Sequence, residues 1–130
     1  MTARIFLIVA LGLFAGSVSA DEADWTSKRG LFVVNFESEL TPLQINTLHA
    51  WRIHIETVSG EPVTGANVTA SGGMPLHDHG LPTRPRVTAE LGDGDYRLEG
   101  MRFHMAGQWE ITLLITAGDI KDTVVISLTL

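Results

Sequence analysis

The chain has 130 residues, 45% of them hydrophobic and 18% charged, with a formal charge of −6 and no cysteine. That length allows one small domain, and an acidic balance without any run of basic residues excludes a phosphate-neutralising nucleic-acid interface. Lack of cysteine excludes disulfide frameworks, thiolate zinc sites, iron–sulfur clusters, thiol nucleophiles and blue-copper centres, so any metal has to rest on His, Met or carboxylate.

Arg4 is followed by a charge-free run from Ile5 to Val18, and Val18-Ser19-Ala20 supplies the small residues of a signal-peptidase site. The run is about 14 residues, short for a bilayer-crossing helix, so residues 1–20 are expected to be a cleaved secretory signal peptide with no transmembrane segment left in the mature chain. The mature chain then starts at Asp21 and carries 8 basic and 15 acidic residues, a formal −7. The expected location is periplasmic.

Residues 21–29 are polar apart from Trp25 and are expected to form a flexible leader to a domain spanning 30–130. From there the period is two. Phe32, Val34 and Phe36 alternate with polar or smaller neighbours, and Trp51, Ile53 and Ile55 alternate with Arg52, His54 and Glu56. Short runs at Val68 and Ala70, Val87 and Ala89, and Tyr96 and Leu98 are bounded by turn residues. Trp109 to Ile115 and Val124 to Leu130 form two longer stripes across the polar turn Ala117-Gly118-Asp119, which reads as a hairpin. No window carries a capped helical stripe; Pro42 to Ala50 comes nearest and runs into the strand pattern.

About seven short strands in roughly 100 residues predict an all-β, immunoglobulin-like antiparallel β-sandwich. Trp51 and Trp109 are the expected core anchors, and Tyr96, just after Asp93-Gly94-Asp95, is a candidate tyrosine-corner residue whose hydroxyl bonds backbone.

The stretch from Gly72 to Pro85 does not read as strand. It is a Gly- and Pro-rich connection holding Met74, His77 and His79. In extended backbone, side chains two apart share a side, so His77 and His79 can converge on one ion with Met74 approaching from the turn. Neutral imidazole suits copper, zinc and nickel, whereas thioether selects chiefly for Cu(I). A second cluster, Met101-Arg102-Phe103-His104-Met105, adds His104, Met105 and Met101 as further donors. Strict alternation puts Met101, Phe103 and Met105 on one face and His104 on the other, unless a bulge or strand end intervenes. The competing reading is structural: a His-x-His at a polar loop tip, with methionines filling the core beside Phe103. Asp78 reads as solvent-exposed, His49 as a partly buried, hydrogen-bonded histidine on the face of Trp51, and His54 as solvated. No nucleophile elbow or substrate pocket is legible, so the chain does not read as an enzyme.

Met74-Pro75-x-His77-x-His79-Gly80, then Gly94-x-Tyr96, then Gly100-Met101-x-Phe103-x-Met105-x-Gly107-x-Trp109 resembles the YtkA-like and FixH-like family of small exported bacterial domains, over about Ile53 to Leu128. The resemblance implies an immunoglobulin-like sandwich outside the cytoplasm, in the company of copper handling or cytochrome oxidase assembly. It singles out Met74, His77, His79 and Met105, with His104 beside them. Ala106 stands where many relatives carry Pro, and the chain differs from FixH proteins proper, membrane-anchored partners of a cation pump, in lacking a retained transmembrane helix. The function so implied is that of a periplasmic copper carrier, buffer or metallochaperone. Its metal is Cu(I) in a site of Met74, His77, His79, His104 and Met105, and its partner an envelope cuproprotein or copper transporter. The alternatives are a metal-independent envelope protein-interaction module, and a zinc- or nickel-binding domain using His77, His79, His104 and Asp78.

Overall fold

The computed structural model describes residues 23–130, so the signal peptide expected over residues 1–20 lies outside the described residues. In chain order the strands are β1 (Trp25–Thr26), β2 (Phe32–Ser38), β3 (His49–Thr57), β4 (Asn67–Met74), β5 (His79–Gly80), β6 (Arg86–Gly92), β7 (Asp95–Met101), β8 (Gln108–Ala117) and β9 (Ile120–Thr129). All pairings are antiparallel, and no helix occurs among the described residues.

The period-two pattern explains these elements. In β8, Trp109, Ile111, Leu113 and Ile115 are fully buried while their neighbours face outward, and in β9 Val124 and Ile126 do the same. Trp51 and Trp109 are both completely buried, as expected of core anchors, and Phe36 stacks on Trp51 at 3.9 Å between ring centroids. Together with Leu98, Tyr96 and Phe103 they make one core shared by the whole sheet.

The strand count and connectivity depart from the expected seven-strand pair of sheets. Nine strands form one sheet, eight of them on the path β1-β2-β3-β7-β6-β4-β8-β9 and the ninth, β5, paired to β4 off that path. The path has a weak middle, where β6 and β4 meet at the single pair Thr69↔Arg86. Its far ends also approach, since Lys28 N–H donates to Thr123 O at 2.8 Å and joins the segment after β1 to β9. The extra strands β1 and β5 have two residues each, too short to show any period.

The segment from Trp25 to Arg29, expected to be loose, is tied into the domain. Trp25 and Thr26 pair with Val34 and Val33, and Ser27 is buried with its hydroxyl accepting from Leu31 and Phe32 N–H. Tyr96 does form the expected corner: its hydroxyl donates to Val63 O at 2.7 Å and accepts from Ala66 N–H at 3.1 Å.

Candidate metal centre

The Gly- and Pro-rich connection is shorter than its composition implies, because β4 continues through Gly72 and Gly73 to Met74 and the chain returns as β5. Met74 pairs with His79 and Gly73 with Gly80, closing a small hairpin over Pro75, Leu76, His77 and Asp78. Glycine is required at this crossing. A Cβ on Gly73 would stand 2.7 Å from His79 O, and one on Gly72 would stand 2.6 Å from Ile111 Cδ1 and 3.0 Å from Leu81 Cδ1. Two bare backbone positions inside a strand therefore let the returning segment lie close and set the position of His79.

The rings of His77 and His79 have centroids 6.5 Å apart and planes 27° from parallel, but His77 lies in the turn and Asp78 between them has a φ of +52°, so the extended backbone expected of this segment is not what brings them together. The second cluster reaches them through His104, whose ring lies 5.9 Å from that of His79, edge to face, and 5.5 Å from that of Trp109. Strand β7 stops at Met101, so strict alternation no longer governs the residues after it. This strand end is what turns His104 toward the loop. Its Nδ1 is buried and has no hydrogen-bond partner. Such an atom carries a desolvation cost that a bound cation or proton-donating ligand would relieve.

The thioethers divide. Met74 is buried at the end of β4 with its methyl directly beneath Gly107, where a Cβ would come within 2.7 Å of Met74 Cε. Met101 is fully buried and belongs to the core cluster that also holds Phe103 and Trp109. Met105 is 36% exposed at the rim, and its carbonyl accepts the Trp109 indole N–H at 3.0 Å. The fold thus brings Met74, His79 and His104 to one end of the sheet, with His77 and Met105 at the border. Among the described residues no three His, Asp or Glu groups stand close enough to share an ion, so the imidazoles associate pairwise.

Beside His79 runs an open groove of about 370 Å³ on the outer side of β4 and β8, walled by Asp78 and Glu110 and lined by the hydroxyls of Ser71 and Thr112. Leu76, at the hairpin tip, is 76% exposed. Gly73, which shapes the position of His79, is not singled out by the sequence reading, and Gly107 enters it only as a landmark of the family resemblance and not as the residue that holds Met74 in place. Their signal was a glycine pair inside a strand-length run and a glycine just before the Trp109 stripe.

The two remaining histidines are committed elsewhere. His49 accepts the Trp51 indole N–H at Nε2 (3.2 Å), which leaves Nδ1–H to donate to Thr47 O at 2.9 Å, as expected of a hydrogen-bonded core histidine. His54, expected to be solvated, is instead half-buried and held by carboxylates. Its Nδ1–H donates to Asp95 Oδ1 at 2.7 Å and Nε2 lies 3.4 Å from Glu56 Oε2. Burial opposes its protonation, but Asp95 and Glu56 outweigh that and raise its pKa above the ordinary imidazole value. Burial likewise pushes the Asp95 carboxyl upward, and Arg52 and His54 more than reverse it, holding the group below the usual carboxylate range.

A family model described as YtkA-like matches residues 33–114, from β2 into β8 and across the whole His/Met region. No curated protein and no solved structure matches the chain.

Proposed function

The chain belongs to the YtkA-like family, and on that premise we propose that it is an exported copper-binding protein, a carrier or buffer that holds Cu(I) for an envelope cuproprotein or copper transporter. One observation carries the reading: His104, with a buried ring nitrogen that lacks a partner, stands 5.9 Å from His79 at the end of the sheet where the Met74 thioether is also buried. Imidazole and thioether are neutral donors, and the thioether favours a soft monovalent cation. Zinc or nickel held by His77, His79, His104 and Asp78 has less support, since those groups do not gather three at a time.

His77 and Met105 stand at the border of this site, where they would accept or release the ion. Export is supported by the apolar run from Ile5 to Val18. Among the described residues no helix is long and apolar enough to cross a membrane. An immunoglobulin-like reading of the fold is supported by the all-antiparallel pairing and the Tyr96 corner.

Titration of the metal-free protein with Cu(I) against a chromophoric competitor tests the proposal. One equivalent should bind, and His79→Ala with His104→Ala should lose it. Equal weak binding by both proteins would overturn the copper reading.

A further inference from the structure

The two outer surfaces of the sheet differ sharply in charge. On the β2-β3-β7 side, Arg52 pairs with Asp95, and Arg97 pairs with Glu39 and Glu99. On the β8-β9 side the alternation that buries Ile111, Leu113, Val124 and Ile126 turns Thr112, Leu114, Thr123 and Val125 outward, and none of these carries a charge. The neighbouring outward positions of β4, Thr69 and Ser71, are also uncharged. A solvated antiparallel sheet face normally carries charged residues, and depletion of charge is the mark of an interface centre.

The charges on this face stand at its two ends with opposite sign. Glu110 is opposite Ser127 at one end, and Lys121 is opposite Thr116 at the other, six positions along the strands or about 20 Å away. Both side chains are exposed, and neither takes part in an ion pair among the described residues. The Arg29 guanidinium adds to the positive end by donating to Lys121 O, and Asp78 adds to the negative end across the groove.

We propose that this face pairs with the same face of a second copy of the chain. A two-fold axis lying in the plane of this face, crossing the strands between the pairs Thr112↔Val125 and Leu114↔Thr123, lays Glu110 of each copy over Lys121 of the other and sets Leu114 against Thr112 and Val125 against Thr123. The arrangement is self-complementary in charge and in shape of residue, whereas the rest of an acidic chain repels its own copies. Three strands of this length cover about 1,000 Å² in total, the low end of specific interfaces, so the dimer dissociates on dilution.

Sedimentation velocity of residues 21–130, which contain every described residue, tests this in a chelating buffer, so that the outcome does not depend on copper. Wild type should pass from monomer to dimer between low-micromolar and near-millimolar concentration. Glu110→Lys and Lys121→Glu should each weaken association roughly tenfold, and the double exchange should restore it. Thr112→Lys should leave a monomer with an unchanged circular dichroism spectrum. A monomer at every concentration, or a double exchange no better than its parents, would overturn the proposal.

Discussion

Gly107 and Met74 meet with no space for another atom: a Cβ on Gly107 would lie 2.7 Å from Met74 Cε, at a φ of +132° that L side chains rarely adopt. Gly107 also exchanges both backbone hydrogen bonds with Leu130, so the turn cannot easily move away. Gly107→Ala therefore has to displace the thioether or the chain end. It should destabilise the fold by about 1–3 kcal/mol and lower Cu(I) affinity together, read by urea unfolding and by competitor titration. A variant as stable and as tight as wild type would show that Met74 is not held by this contact.

The two methionines of the proposed site can be separated by a swap that keeps volume. Met74→Leu fills nearly the same buried space and should cost less than about 1.5 kcal/mol, while removing the sulfur. Its Cu(I) affinity should fall at least as much as that of Met105→Leu, because Met105 stands at the exposed rim. Loss of affinity in Met105→Leu alone would place the thioether donor at the rim instead.

Much of this arrangement is legible in the sequence wherever side chains alternate. Trp51, Trp109 and the stripes of β8 and β9 announce their burial by period, and Tyr96 announces its corner by following a Gly-Asp turn. Pairing partners are not written in any local pattern. The single Thr69↔Arg86 link between β4 and β6, and the Asp95 carboxylate that holds His54, come from residues far away in the chain. The site itself is half legible: the nearness of His77 and His79 follows from their closeness in sequence, but they meet through a turn with Asp78 at φ +52° and not through extended spacing, and the approach of His104 depends on where β7 ends. Glycines hide their part because an absent side chain gives no hydrophobic signal, and Gly73 becomes meaningful only once His79 O is seen above it.

Tyr96→Phe tests the corner. The hydroxyl bonds Val63 O and Ala66 N–H inside the domain, so its removal leaves a buried acceptor and a donor without partners. The expected loss is about 1–3 kcal/mol in urea unfolding, with Cu(I) affinity unchanged, since the corner is formed with Val63 and Ala66 and not with the His/Met residues. A loss within error of zero would mean that water replaces both bonds.

Acid sensitivity should concentrate at Asp122. Its carboxylate is buried where the segment after β1 meets β9 and accepts backbone N–H from Thr123 at 2.8 Å, Arg29 at 3.0 Å and Leu31 at 3.4 Å. Burial alone would raise its pKa, but these bonds and one from the Ser27 hydroxyl outweigh it and hold the group below the usual carboxylate range. A carboxyl whose folded pKa lies below its unfolded value gives stability that is fully present above the unfolded value, about 3.9, and is lost as pH falls through the folded value. Asp122→Asn should therefore be less stable than wild type at neutral pH and show a flatter decline between mildly acidic and strongly acidic buffer. His54 works in the opposite sense: its raised pKa gives stability present below its unfolded value and lost as pH rises through the folded one. Urea midpoints of wild type, Asp122→Asn and His54→Gln from strongly acidic to mildly alkaline buffer separate the two, the Asp122 effect on the acidic side and the His54 effect on the alkaline side. An acid decline as steep in Asp122→Asn as in wild type would assign the sensitivity to other carboxylates.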